Sequence, residues 1–187
     1  MESNVPQNEI QLIHAVGKWA EKNFGRRRAP HLGVLEEVGE ATHAVLKHRQ
    51  KIRGFDSFDF FATNFGDALA DGIIFLADWC HLHNSYFQFD RSHSPVGLAD
   101  LQDEKIIIHL LQACGLLMST SLTEREGAFS VAEETLYNGI AQRICVGFET
   151  WGKMYNLNLR LLVASTWQSV SQRDWSKNPQ NAHVKNS

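Results

Sequence analysis

The chain has 187 residues, 43% of them hydrophobic, and a formal net charge of -3 at pH 7. That is enough apolar material for one well-buried domain and argues against disorder ahead of the C-terminal tail. The mild acidity leaves no overall basic footprint, so no stable nucleic-acid binding is expected, while a local site for small anions stays open. Three cysteines, Cys80, Cys114 and Cys145, each lie in an apolar, helix-like run. An odd number without close spacing reads as buried thiols in a reducing, cytoplasmic setting rather than as disulfides or a zinc site. No basic N-terminal region precedes an apolar stretch and no run of eighteen uncharged apolar residues occurs, so no membrane partner is expected.

Helical periodicity dominates and no alternating strand pattern competes with it, so the chain is expected to be all-α. The first helix is expected from about Gln7 to Phe24, with Ile10, Ile13, Val16 and Ala20 on one face. Gly25 closes it ahead of Arg26-Arg27-Arg28. Pro30 suits the first turn of a second helix that continues to about Lys51. Asp56 or Ser57 can cap a third, running to about His83, with Phe61, Phe65, Leu69, Ile73, Leu76 and Trp79 spaced for burial. Residues 91–95 read as a loop. Two further helices are expected over Leu98 to Thr120 and Glu126 to Tyr155. Asn158 caps a last one ending near Trp175, and residues 178–187 form a polar tail.

The second helix carries the chemistry. In Leu35-Glu36-Glu37-Val38-Gly39-Glu40-Ala41, Glu36 and Glu40 lie about 40° apart on the helix, and Glu37 and Glu40 about 60°. Three like charges on one strip repel, and the neighbouring positions hold no Lys or Arg to relieve them. Either the strip is a solvated acidic face or a hard, oxygen-seeking cation such as Mg²⁺ or Mn²⁺ relieves it. Asp67 and Asp71, one turn apart in an otherwise apolar third helix, supply a second pair of carboxylates. A short loop would pack the two helices antiparallel and bring the pairs together. Lys47, Arg49, Lys51 and Arg53 follow on the second helix. Lys47 shares nearly the face of Glu40, about 10 Å further along the axis, which suits a polyphosphate as well as a plain basic helix end.

These segments resemble the MazG-like branch of the all-α nucleoside triphosphate pyrophosphohydrolases. The likeness lies in Trp19-Ala20-Glu21-Lys22-Asn23-Phe24-Gly25, the Glu36-Glu37-x-x-Glu40 step, residues 47–54, residues 67–80 and Trp167 to Trp175. It covers about residues 8–84 and 156–177. The family's signature is EExxE followed by ExxD. The first half is matched; in the second, Asp71 matches but Ala68 stands where most members have Glu, with Asp67 one place earlier.

The resemblance implies a four-helix-bundle core, about 7–84 and 156–177, with an inserted helical pair at about 96–155. It also implies metal-dependent cleavage of a nucleoside triphosphate to a monophosphate and pyrophosphate, with nucleotide-pool house-cleaning as a family-level purpose. In that scheme Glu37, Glu40, Asp67 and Asp71 hold Mg²⁺ (or Mn²⁺), and Glu36 or Glu37 takes a proton from water. Lys47, Arg49, Lys51, Arg53, Arg173 and Lys177 steady the phosphates, and Trp19, Phe24 or Trp79 can stack a base. A homodimer or higher homo-oligomer is the expected assembly. Two rivals remain open. Glu40-Ala41-Thr42-His43 is a Glu-x-x-His step of the di-iron carboxylate kind, with Asp78-Trp79-Cys80-His81 as its nearest match. Ala68 favours a non-catalytic nucleotide-binding or dimerisation module.

Overall fold

The computed structural model describes residues 6–89, 102–121, 130–175 and 177. Among them are six α-helices, one 3₁₀ turn and no strand: α1 (Glu9–Phe24), α2 (Pro30–Gln50), α3 (Phe58–Leu82), α4 (Asp103–Ser121), α5 (Val131–Met154) and α6 (Leu159–Val170). The all-α class expected from the periodicity is the class observed.

Local chemistry sets most of the boundaries. Asn8 caps α1 by accepting from the Gln11 N–H, and Gly25, at φ 56°, returns its N–H to the Glu21 carbonyl and ends the helix. The short 3₁₀ turn Gly25–Arg27 then leads to Pro30 at the start of α2. Lys51, in the left-handed region at φ 52°, closes α2 onto the Lys47 and His48 carbonyls. Ser57 caps α3 and Asn158 caps α6, both through their side-chain oxygens.

Three expectations need correction. The fourth helix begins at Asp103 rather than at Leu98: Gln102 is already outside it, and residues 98–101 lie outside the described set. The fifth begins at Val131 rather than at Glu126, because Ser130 and Glu133 form a reciprocal capping box; 126–129, like the expected loop at 91–95, lie outside the described residues. The last helix stops at Val170, not near Trp175. Beyond it the Trp175 N–H donates to Asn23 Oδ1 and the Arg173 carbonyl accepts from Trp19 Nε1, so the chain is tied back onto α1 and leaves the helical path.

α3 is the central element and packs against α1, α2, α5 and α6; α4 packs on α2 and α5. By length and composition alone α3 is apolar enough to cross a membrane, yet here it buries Phe61, Phe65, Leu69, Ile73, Leu76 and Trp79 completely. Phe148 and Trp151 of α5 and Ile106, Leu110 and Leu117 of α4 join the same continuous core, so α4 and α5 are integral to it. Glycines set the closest approaches between helices. A Cβ at Gly33 of α2 would stand 2.4 Å from the Phe75 ring, and one at Gly17 of α1 would stand 2.0 Å from the His81 ring. All three thiols are free and buried. Burial pushes Cys80 up to about 12 and Cys114 up to about 11, which leaves them inert.

Candidate functional site

α2 and α3 run antiparallel, which brings the carboxylates of the two helices face to face. Gly33 lies against Phe75 at one end of the pair, and the His48 ring stacks on Phe61 at 4.2 Å near the other. One turn on from Gly33 is Glu37; one turn back from Phe75 is Asp71. The two therefore stand level across the pair, and both line one cleft of about 320 Å³. Glu37 is only 7% exposed although it is a carboxylate on an elsewhere acidic strip. Such burial is costly unless the charge is compensated.

The rest of the acidic set does not converge. Glu36, Glu40 and Asp67 are exposed and do not line the cleft, and Ala68, one turn before Asp71's neighbour Gly72, is buried. Among the described residues no three His, Cys, Asp or Glu side chains are grouped closely enough to hold a metal ion by themselves. Neither the five carboxylates nor the Glu40–His43 and Asp78–His81 steps make a closed protein cage.

The opposite wall is aromatic. Trp19, Phe24 and Trp175 pack around one another with ring centroids 5.1–5.6 Å apart. The segment after α6 is strapped there by the Trp19–Arg173 and Asn23–Trp175 hydrogen bonds and by Lys22–Asp174 at 3.2 Å. Trp19 and Phe24 thus line the cleft, whereas Trp79 is completely buried and donates to Ser121 Oγ; it is core.

The basic residues divide. Arg173 lines the cleft, with its guanidinium 5.9 Å from the Trp175 ring centre. Lys177 pairs with Asp174 at the surface. Lys47, Arg49, Lys51 and Arg53 are not brought to the cleft. Arg49 instead spans to Asp103 and Glu104 at the start of α4. Lys51 and Arg53 sit exposed in the turn after α2, both with positive φ. Arg49, about 200° around the helix from Lys47, therefore meets α4 rather than the cleft.

Two cleft residues were not among the expected site residues. Arg28 Nη1 donates to the Gly17 carbonyl at 3.1 Å and to Asp78 Oδ1 at 3.2 Å, and both side chains line the cleft. Asp78 is 5% exposed; burial pushes its carboxyl up to about 6, against the pull of the Arg28 charge. The partners lie fifty positions apart, so no local motif could announce them.

Comparison with the models of known families, with curated proteins and with solved structures yields no match.

Proposed function

We propose that this protein is a metal-dependent nucleoside triphosphate pyrophosphohydrolase of the MazG-like kind, converting (d)NTP to (d)NMP and pyrophosphate in the Glu37–Asp71 cleft. The observation that carries the reading is the pairing of two level carboxylates with an aromatic wall and two arginines in one cleft. Mg²⁺ fits such a donor set, and Mn²⁺ shares its taste for oxygen. It is commonly held by one or two carboxylates together with substrate phosphates and water, rather than by an all-protein cage. Glu37 and Asp71 would hold the ion, while Glu40 and Asp67 stay exposed outside the cleft. When bound, the ion supplies charge neutralisation for the polyphosphate and acidifies water.

The chain's own groups do the remainder. The attacking water forms a bond to phosphorus, the bridging P–O bond breaks, and pyrophosphate leaves with that electron pair. Glu37 would accept the water's proton at its carboxylate, and Glu36, exposed beside it, would be the outer carboxylate through which the proton reaches solvent. Arg173 faces the phosphates as a donor of charge-assisted hydrogen bonds. Trp19, Phe24 and Trp175 give the base an apolar surface. A cytoplasmic setting and a homo-oligomer belong to the same proposal; α4 keeps Ile108, Leu111 and Leu116 exposed on its outer side, which suits a second copy.

The second reading, a nucleotide-binding module without turnover, draws on Ala68, a buried methyl where a further carboxylate would stand. The test is pyrophosphate release from a panel of canonical and modified NTPs and dNTPs with Mg²⁺ or Mn²⁺, and with EDTA as the blank. Metal-dependent release that Asp71→Asn abolishes, in a protein of unchanged helical signal, is the expected result. Silence across the panel, or turnover indifferent to Asp71→Asn, would overturn the hydrolase.

A further inference from the structure

We propose that Asp78 and Arg28 form the edge that selects the base: a planar ring bearing an exocyclic amino group next to an unprotonated ring nitrogen, the pattern adenine and cytosine share. The inference rests on the nucleotide reading of the cleft and adds its specificity.

Position comes first. Asp78 follows Asp71 by seven residues on α3, which is nearly the same face and about 10 Å further along the axis. Phosphates held at Glu37 and Asp71 therefore leave the far end of the same nucleotide beside Asp78, with the Trp19–Phe24–Trp175 wall flanking it. α1 and α3 run antiparallel, with Gly17 against His81, so this wall stands alongside the 74–78 stretch rather than beyond it.

Chemistry comes second. Among the described residues Asp78 is hydrogen-bonded through Oδ1 alone, to Arg28, although the residue is 5% exposed. The Asp78 side chain lines the cleft together with that of Arg28. Arg28 commits Nη1 to Gly17 and Asp78. A guanidinium carries five N–H donors, and among the described residues only Nη1 of Arg28 is engaged, in a side chain that lines the same cleft. One acceptor and one donor thus lie side by side.

An amino N–H can donate to Oδ2 while the adjacent ring nitrogen accepts from the guanidinium, a two-point match. An oxo group in the amino position sets oxygen against oxygen and leaves a nearly buried carboxylate unsatisfied. That is the kind of loss that lets a site built for hydrogen bonding reject an analogue.

The experiment is calorimetric binding of adenosine against inosine and of cytidine against uridine to the intact chain, repeated with Asp78→Asn. The wild type is expected to bind each amino nucleoside about tenfold more tightly than its oxo counterpart. Asp78→Asn, whose amide presents an N–H where Oδ2 stood, is expected to erase or reverse that preference. Equal affinities in the wild type would overturn the proposal, and that comparison needs no variant. So would an unchanged preference in a folded Asp78→Asn protein. An amino preference without any pyrophosphate release keeps the edge and refutes the hydrolase; pyrophosphate release without a preference refutes the edge and keeps the hydrolase. Failure of every nucleoside and nucleotide to bind refutes both.

Discussion

Among the described residues two aspartates are almost fully buried, each beside an arginine, and their surroundings differ in a telling way. Asp103, 4% exposed at the start of α4, receives Trp151 Nε1–H at 2.7 Å, the Tyr155 hydroxyl at 2.9 Å and the Arg49 guanidinium. Both of its oxygens are occupied by donors from α2 and α5. Tyr155 in turn is held protonated: burial first, and the Asp103 charge beside it, push its phenol upward. Asp78 has one donor among the described residues and lines the cleft. A saturated buried carboxylate fastens helices together, here joining α4 and α5 to the end of α2. An undersaturated one raises the cost of its own charge and keeps bonding capacity for something that arrives.

The comparison can be broken at four places. Asp103→Ala strips the common partner from Trp151, Tyr155 and Arg49, and should cost about 3–5 kcal/mol in urea unfolding, as removal of one member of a buried ion pair does. A loss under 1 kcal/mol would mean that α4 is held by its apolar face alone.

Asp78→Asn should act in the opposite direction. The folded chain keeps the Asp78 proton up to about pH 6, against 3.8 for the ordinary carboxyl. Between those values the folded state binds more protons than the unfolded one, so this group's contribution to stability falls as pH rises through the window. Above it the penalty is about 2–3 kcal/mol. The variant should therefore be more stable than the wild type at pH 8 and gain nothing at pH 3. His83, which burial holds down to about 4, slopes the other way over an overlapping range. The informative quantity is the difference between variant and wild type at each pH, and a flat difference would show that Asp78 is as well compensated as Asp103.

Smaller effects sharpen the contrast. Tyr155→Phe removes one of several donors to Asp103 and should cost about 1 kcal/mol by thermal unfolding. A cost as large as that of Asp103→Ala would make the phenol, not the guanidinium, the principal partner. Glu104→Ala touches only the exposed limb of the Arg49 fork and should shift the melting temperature least of all.

Much of this was written locally. Pro30, Ser57 and Asn158 mark helix starts because a first helical turn needs a missing N–H or a side-chain acceptor, and those needs are met by neighbours in the chain. The Ser130-x-x-Glu133 capping box that starts α5 is local too, but periodicity alone began that helix at Glu126 and passed over it. Helical spacing and an antiparallel hairpin led to two converging pairs of carboxylates; the packing brings Glu37 and Asp71 to the cleft and leaves Glu36, Glu40 and Asp67 exposed outside it. The Arg49 clamp and the Arg28–Asp78 pair had no such signal, because their partners lie about fifty positions away.

What the sequence by itself determined is the all-α class, the approximate helices, and which acidic and basic residues share a helix face. Periodicity and capping act within a few residues of one another, so a single chain carries them in full. What only the tertiary structure decided is which face meets which element. α4 closes over Arg49 and removes it from the cleft. The strap after α6 brings Trp175 and Arg173 against Trp19, and Arg28 folds back over Gly17 to reach Asp78. Those contacts join residues far apart in the chain, and only the packing of the whole core, with glycines at the closest approaches, selects them.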